Sequence, residues 1–455
     1  MTDSKRIKAI LSVLLVLSLL TSVFLIHGSS YKYQYFESPS LTFSKDGKYV
    51  YMKGDTDGEI VFCGSTQKDI TVLEIPDEID GQKVVDIYRI FTMSKAVSKL
   101  VLGKNIKTIG HGGLKLSYVT PSFENVYNWI KYDEYKEVAP LINIRFNEGL
   151  ETIESFAMGE APCMAEAPVM PKILVLPTTL KKMESSAIMN NRIEFIVFQS
   201  DVEAKKYSVN HSQYDHGSRE AADYTLELDP ISIYFTGDSL NSSPFAFNYL
   251  YINFGNFEAG PLSHPSAKTT IYKKAGAQGF EKFETNDYPE EYDNCKLETM
   301  TVKTYEDEWW KDIKEVESVT ITADNIIENA SLKNTLSSDE KKYVSNTYSL
   351  NTNGFGNITL KANASPSDAF DSRVFYVSLN DEVATVDRET GKVKIVGDGS
   401  ATIRCVSASG VFSDCVINAN RSVFAKVISA VQNFFASVST AIINFFNSIS
   451  SKLFK

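Results

Sequence analysis

KLVLGKNIKTIG at residues 99–110, IRFNEGLETIESFA at 144–157 and LVLPTTLKKMESSA at 174–187 carry one frame written three times. The anchors are Leu100, Leu102, Ile106 and Ile109, then Ile144, Phe146, Leu150 and Ile153, then Leu174, Leu176, Leu180 and Met183. Their internal steps are two, four and three residues in every copy. A small residue and a larger apolar one then close each copy: Gly113-Leu114, Ala157-Met158 and Ala187-Ile188. A two-residue step points both side chains to one face of a short strand, and the later anchors turn the chain back over that face. Each copy therefore reads as one coil of a solenoid.

Together with ITVLEIPDEIDGQKVVDI at 70–87, these segments resemble the BspA-like leucine-rich repeats of bacterial surface proteins. The marks are the Ile-Pro or Leu-Pro after the strand, the Asp80-Gly81 turn and the small-plus-large closure. The copies start 44 and then 30 residues apart, wider than the 20–29 residues usual for leucine-rich repeats. Insertions fill the difference. The first, at 117–140, gathers Tyr127, Trp129, Tyr132 and Tyr135 among acidic residues, and the second is GEAPCMAEAPVMP at 159–171. The four aromatics either pack on the solenoid flank as a short amphipathic helix or project as a ligand-binding surface. They are the repeat domain's binding candidates.

Before the repeats, Asp46-Gly47 and Asp57-Gly58 between alternating apolar residues read as hairpin turns, and this hairpin is expected to cap the first coil. Asp55-Thr56-Asp57-Gly58 lacks the later ligands of a calcium loop. Gly110-His111-Gly112-Gly113 has the look of an oxyanion loop, but no GxSxG elbow occurs in the chain, so it reads as a repeat turn. His211, Asp215 and His216 fall in a polar stretch read as a solvated loop. Trp309-Trp310 among charges reads either as a carbohydrate platform or, the preferred reading, as the anchor of a linker against a neighbouring domain.

From Ser318 short strands recur every 8–12 residues between Gly or Asp turns, the pattern of a β-sandwich. Ala364-Ser365-Pro366, Val383-Ala384-Thr385-Val386-Asp387, Gly391-Lys392-Val393 and the run from Gly397 to Ile403 resemble the group 2 bacterial immunoglobulin-like domain. A polar insert at 329–351 departs from that pattern. Cys405 and Cys415 are placed symmetrically about Gly410, where they could face each other as a disulfide or remain thiols. The other three of the five cysteines, Cys63, Cys163 and Cys295, read as isolated thiols.

At the ends, Lys5, Arg6 and Lys8 precede an uncharged run from Ala9 to Ile26, an export signal or an uncleaved anchor. Phe424, Val427, Val431, Phe434, Val438, Ile442, Phe445, Ile449 and Leu453 step by three or four, which predicts an amphipathic helix. It would lie on a membrane surface, self-associate or dock back on the protein. The chain carries a formal −11, with +2 on residues 1–30 and +4 on 421–455, leaving −17 on the body between. So acidic a body repels phosphate backbones and excludes nucleic acid as a partner.

The expected fold is mainly β. The order is an export or anchor segment at 1–30, a hairpin cap at 31–69 and a leucine-rich-repeat domain with insertions at 70–290. A linker at 291–317, an immunoglobulin-like domain at 318–419 and a helical tail at 420–455 follow. By resemblance the protein is an exported or surface-attached bacterial adhesion protein that recognises a host protein, matrix or glycan through its repeats, with the sandwich expected to act as a spacer that presents them. No cofactor, metal site or catalytic constellation is expected. The alternatives are a cell-envelope structural protein and, further off, a glycan-processing enzyme, which would need paired carboxylates in a pocket.

Overall fold

A computed structural model describes residues 41–114, 116–119, 137–138, 143–158, 171–189, 193–205, 208–210, 231–240, 242, 244–247, 269–284, 300–323, 326–328, 344–353 and 357–420. Short strands stack coil upon coil in parallel ladders. On one side, Val72–Glu74, Lys99–Val101 and Asn143–Arg145 pair in register, Leu73 beside Leu100 and Leu100 beside Ile144. A second set on the same side runs Ile173–Leu176, Phe195–Phe198, Ser232–Phe235, Thr270–Lys273 and Thr301–Thr304, all parallel. On another side, Gln82–Thr92, Thr108–Ile109, Thr152–Ile153, Lys182–Met183 and Glu203–Ala204 form a continuous ladder.

The frame anchors fill the space between the ladders. Eleven of the twelve are buried, and Phe146 is partly buried against the same core. Truncating one of the fully buried leucines, such as Leu150→Ala, is expected to cost about 2–5 kcal/mol through lost transfer energy and the cavity left behind. One core runs from Tyr51 to Met300.

The turns follow from local chemistry. Asp80 and Gly81 both take positive φ, 54° and 82°, the geometry of a two-residue type I′ turn between Glu78–Ile79 and the strand beginning at Gln82. Gly112, Phe156 and Ser186 occupy equivalent frame positions, and all are left-handed, at 65°, 58° and 58°. Gly112 N–H donates to Phe156 O at 3.0 Å, and Phe156 N–H to Ser186 O at 2.9 Å, so the strained turns brace one another from coil to coil. The Gly110–Gly113 run is thus the glycine-rich version of a turn that every clear coil makes.

At the N-terminal end, Tyr49–Lys53 pairs antiparallel with Glu59–Ser65, which joins Gln82–Thr92 in parallel. Tyr51, Ile60 and Phe62 of this hairpin reach into the repeat core and close its first coil. The aromatic insertion springs from a two-rung antiparallel stem, Ser117–Tyr118 against Glu137–Val138. Tyr127, Trp129, Tyr132 and Tyr135 lie outside the described residues, as do the segment 1–30, the metal-like trio at 211–216 and the whole amphipathic stripe from Phe424 to Leu453. Among the described residues there is no α-helix.

Three expectations are refined. The stacking runs on through the later strands of the expected 70–290 domain, and one more strand, Thr301–Thr304, lies past the limit at 290, with Met300 in the repeat core. The polar insert expected at 329–351 contains a strand, Val344–Asn353, paired in parallel with Phe412–Asn420 and antiparallel with Ile326–Glu328. Finally, Cys405 lies opposite Ser413 and Cys415 opposite Ile403, so the two cysteines are diagonal neighbours. Both are buried free thiols. The hairpin register centres one residue earlier than the symmetry of their numbers suggested.

Residues 318–420 form the second β unit, with its own core from Val316 to Ala419. Its largest sheet orders Ile326–Glu328, Val344–Asn353, Phe412–Asn420, Gly399–Ser407 and Val374–Ser378. Ser318–Thr322 pairs with Lys361–Ser365, and Lys392–Ile395 lies between Asn357–Thr359 and Ala384–Val386.

Candidate functional site

Alternation along the long-strand ladders sends Leu100, Ile144, Leu174 and Ile196 inward and their neighbours outward. The outward set starts mostly polar, with Glu74, Lys99, Asn143 and Arg145 beside Val72 and Val101, and becomes apolar, with Ile173, Val175, Phe195, Val197, Tyr234 and Tyr272. The chain itself covers both stretches.

Over the polar stretch sits the turn of the final sandwich hairpin. Thr71 Oγ1 donates to Gly410 O at 2.7 Å, and Ser98 Oγ to Ser407 O at 2.7 Å. Arg404 holds Asp414 with two 2.9 Å bonds, lies 3.9 Å over the Phe412 ring and donates to Asp69 O at 2.9 Å. Lys99 is buried, and its ammonium meets both Glu315 oxygens at 2.8 Å. Lys95 pairs with Asp381 of the sandwich. Gly410, at φ 87°, fits so closely that a Cβ there would lie 2.3 Å from Val72 Cγ2.

Over the apolar stretch lies the turn Trp309–Asp312. Trp310 is 4% exposed and packs with Val197 and Tyr234. Tyr234 stacks on Tyr272 at 4.4 Å. Trp309 meets Phe195 edge-on at 5.1 Å and stacks at 5.4 Å on Phe370 of the sandwich, so one indole touches both bodies. Burial pushes the Tyr234 hydroxyl above the ordinary tyrosine value, offset in part by a hydrogen bond from Trp309, and burial raises Tyr305 as well. The expectation that the Trp pair anchors a linker describes this contact.

Between the two covered stretches the ladder is broken: Asn143–Arg145 ends the first set and Ile173–Leu176 begins the second. A cleft of about 370 Å³ opens there, walled by the repeats (Arg145, Phe146, Glu148, Lys172, Val175, Pro177), the linker (Trp310, Lys311, Ile313, Lys314, Glu315) and the sandwich (Phe370, Asp371, Ser409). Each of its three carboxylates has an internal donor. Lys99 holds Glu315, the Thr178 N–H and hydroxyl hold Glu148 at 3.1 and 2.6 Å, and Arg373 holds Asp371. Lys172 donates to Phe370 O at 3.3 Å, and Ser409 to Val316 O at 2.6 Å.

The donors are less fully used. Lys311 pairs with Glu308 and Lys314 with Asp368, whose hydrogen bond raises the Lys314 ammonium above its ordinary value. Arg145 is different: its side chain is 66% exposed, and its contact to Glu315 is 3.7 Å, to a carboxylate that Lys99 already holds. The Trp310 indole N–H is buried without an acceptor among the described residues. Among the described residues no three His, Cys, Asp or Glu side chains are grouped to hold a metal ion.

None of the cleft's charged residues was singled out from the sequence. Arg145 and Lys172 look like ordinary solvated ends of strands. Copy spacing gave no signal either: the copies 44 residues apart pair in register, and the break falls between the copies 30 residues apart.

No curated protein matches the chain. Among solved structures, the 282-residue C-terminal fragment of intimin, crystallised with the intimin-binding domain of its translocated receptor, is 22% identical. It covers 22% of this chain and 30% of that one at a TM-score of 0.15, so the chain spans under a third of the fragment's length. A leucine-rich-repeat protein of T. pallidum is 15% identical over 38% of this chain and 76% of its own, at a TM-score of 0.21. Within the sandwich, residues 340–416 match the family model of the bacterial Ig-like domain, group 2.

Proposed function

We propose that this chain is an exported or surface-attached bacterial recognition protein that works by binding, without catalysis. On this reading the coils are a BspA-like leucine-rich-repeat solenoid, and the target is a host protein, a matrix component or a glycan. The quoted repeat motifs, the in-register parallel stacking and the bacterial Ig-like match at 340–416 support it. So do the basic and apolar first segment and the acidic body.

The observation that carries the reading is the docked sandwich. Its hairpin and the linker cover the outward face of the long strands, so the sandwich is part of the binding body and not a spacer. Ligand contact then falls to the junction cleft and to the insertions, with Tyr127, Trp129, Tyr132 and Tyr135 as the aromatic candidates. The test is a screen of the whole chain against matrix proteins, cell-surface proteins and glycans, with Trp129→Ala and Tyr132→Ala in parallel. Saturable binding to one class supports recognition, and its loss in the two variants assigns it to the insertion. Absence of binding to every class, with the chain recovered only as a wall-bound structural component, overturns it.

A further inference from the structure

We infer that the junction cleft binds the carboxylate of an extended peptide segment, with Arg145 as its anchor. This rests on the recognition reading above and names its ligand class. Donor and acceptor accounting points to it. Around the cleft the carboxylates of Glu148, Glu315 and Asp371 already have internal donors. The Arg145 guanidinium, in contrast, stands mostly exposed with one long contact. A site whose carboxylates already hold donors and whose guanidinium is largely spare is complementary to a ligand that brings acceptors, and a guanidinium fork matches a carboxylate in two parallel bonds.

The remaining walls select the kind of molecule. Val175, Pro177 and Ile313 give apolar lining, and Lys311, Lys314 and Glu148 add charges of both signs. Apolar lining with charges of both signs suits a peptide. A sugar ring would want a free aromatic face. Here the Phe370 ring has Trp309 stacked at 5.4 Å and the Lys172 ammonium at 4.8 Å, Phe146 is packed against the repeat core, and Trp310 is buried. The volume, about 370 Å³, is near the lower end of ligand pockets and suits one or two residues of a chain.

The test uses the full chain and three pools of short fluorescent peptides: C-terminally amidated with one Asp or Glu among apolar residues, amidated with Asn or Gln instead, and neutral with a free C-terminal carboxylate. A fourth arm is a panel of acidic oligosaccharides. Binding of the first or the third pool, weakened at least about tenfold by Arg145→Gln and reduced by salt, supports the inference and tells side chain from terminus. Arg145 is exposed, so the variant is expected to keep its fold, checked by an unchanged thermal midpoint. Equal binding of the amide pool, or binding indifferent to Arg145→Gln, overturns the carboxylate site and leaves the recognition reading standing. Binding of the oligosaccharides alone overturns the peptide assignment. A chain that binds none of these and also fails the wider screen loses both.

Discussion

The outward face of the long-strand ladders is held down in two different ways. Over the first three strands the contact is mainly polar: hydroxyls to carbonyls, the half-buried Lys99–Glu315 pair and Arg404 reaching Asp69. Over the next strands it is aromatic, with Trp309 and Trp310 on Phe195, Val197 and Tyr234. Polar contacts of this kind return only a small net free energy each, because water satisfied the same groups before docking. Aromatic burial returns more and specifies direction less. The aromatic stretch should therefore supply most of the adhesion between the two bodies, and the polar stretch should set where the hairpin lands. The cleft lies at the change from one to the other.

The strongest way to break this comparison is Trp310→Ala. Removing a buried indole is expected to cost about 3–5 kcal/mol, read as a lower denaturant midpoint. A loss below about 1 kcal/mol would mean that the aromatic stretch is not the main adhesive. Next comes Gly410→Ala on the polar side. The new Cβ would sit 2.3 Å from Val72 Cγ2 on a backbone at φ 87°. Crowding and the left-handed backbone together should cost about 2–4 kcal/mol. Calorimetry should then resolve separate transitions for repeats and sandwich where the parent chain gives one.

The sequence made the coils legible because a two-residue step between large apolar residues has few readings, and all twelve anchors face the core. The later strands were legible one by one, but their stacking was not, because long polar stretches separate them. Phe195–Phe198 and Ser232–Phe235 stand 37 residues apart yet pair rung for rung. Val344–Asn353 escaped notice for a related reason: its buried Tyr348 and Leu350 sit among serines, asparagines and threonine. The Trp pair was legible as an anchor, since so much apolar surface in a charged linker needs cover. Arg145 was not, because what distinguishes it is the company it keeps in space, a carboxylate already taken by Lys99.

A finer test of the polar side is Ser98→Ala. Its hydroxyl gives 2.7 Å to Ser407 O, which also accepts Gly410 N–H at 3.0 Å, so the carbonyl keeps one partner. The expected loss is about 1 kcal/mol, with a single transition retained. A loss like that of Gly410→Ala would mean that the hydrogen bonds, not the shape of the turn, fix the docking.

The smallest effect separates the two stretches by pH. Burial raises Tyr234 above the ordinary tyrosine value near 10, so the folded state favours the neutral phenol. The sign follows: this contribution is fully present below pH 10 and is lost as pH rises through the folded value, because the unfolded chain ionises first. Tyr234→Phe cannot ionise and should flatten the alkaline fall in stability, while Ser98→Ala should leave its slope unchanged. Denaturant melts above pH 10, with tyrosinate absorbance followed alongside, give both slopes. If Tyr234→Phe falls as steeply as the parent, the aromatic contact is wetter than its packing indicates, and the cover over the later strands opens before the hairpin lets go.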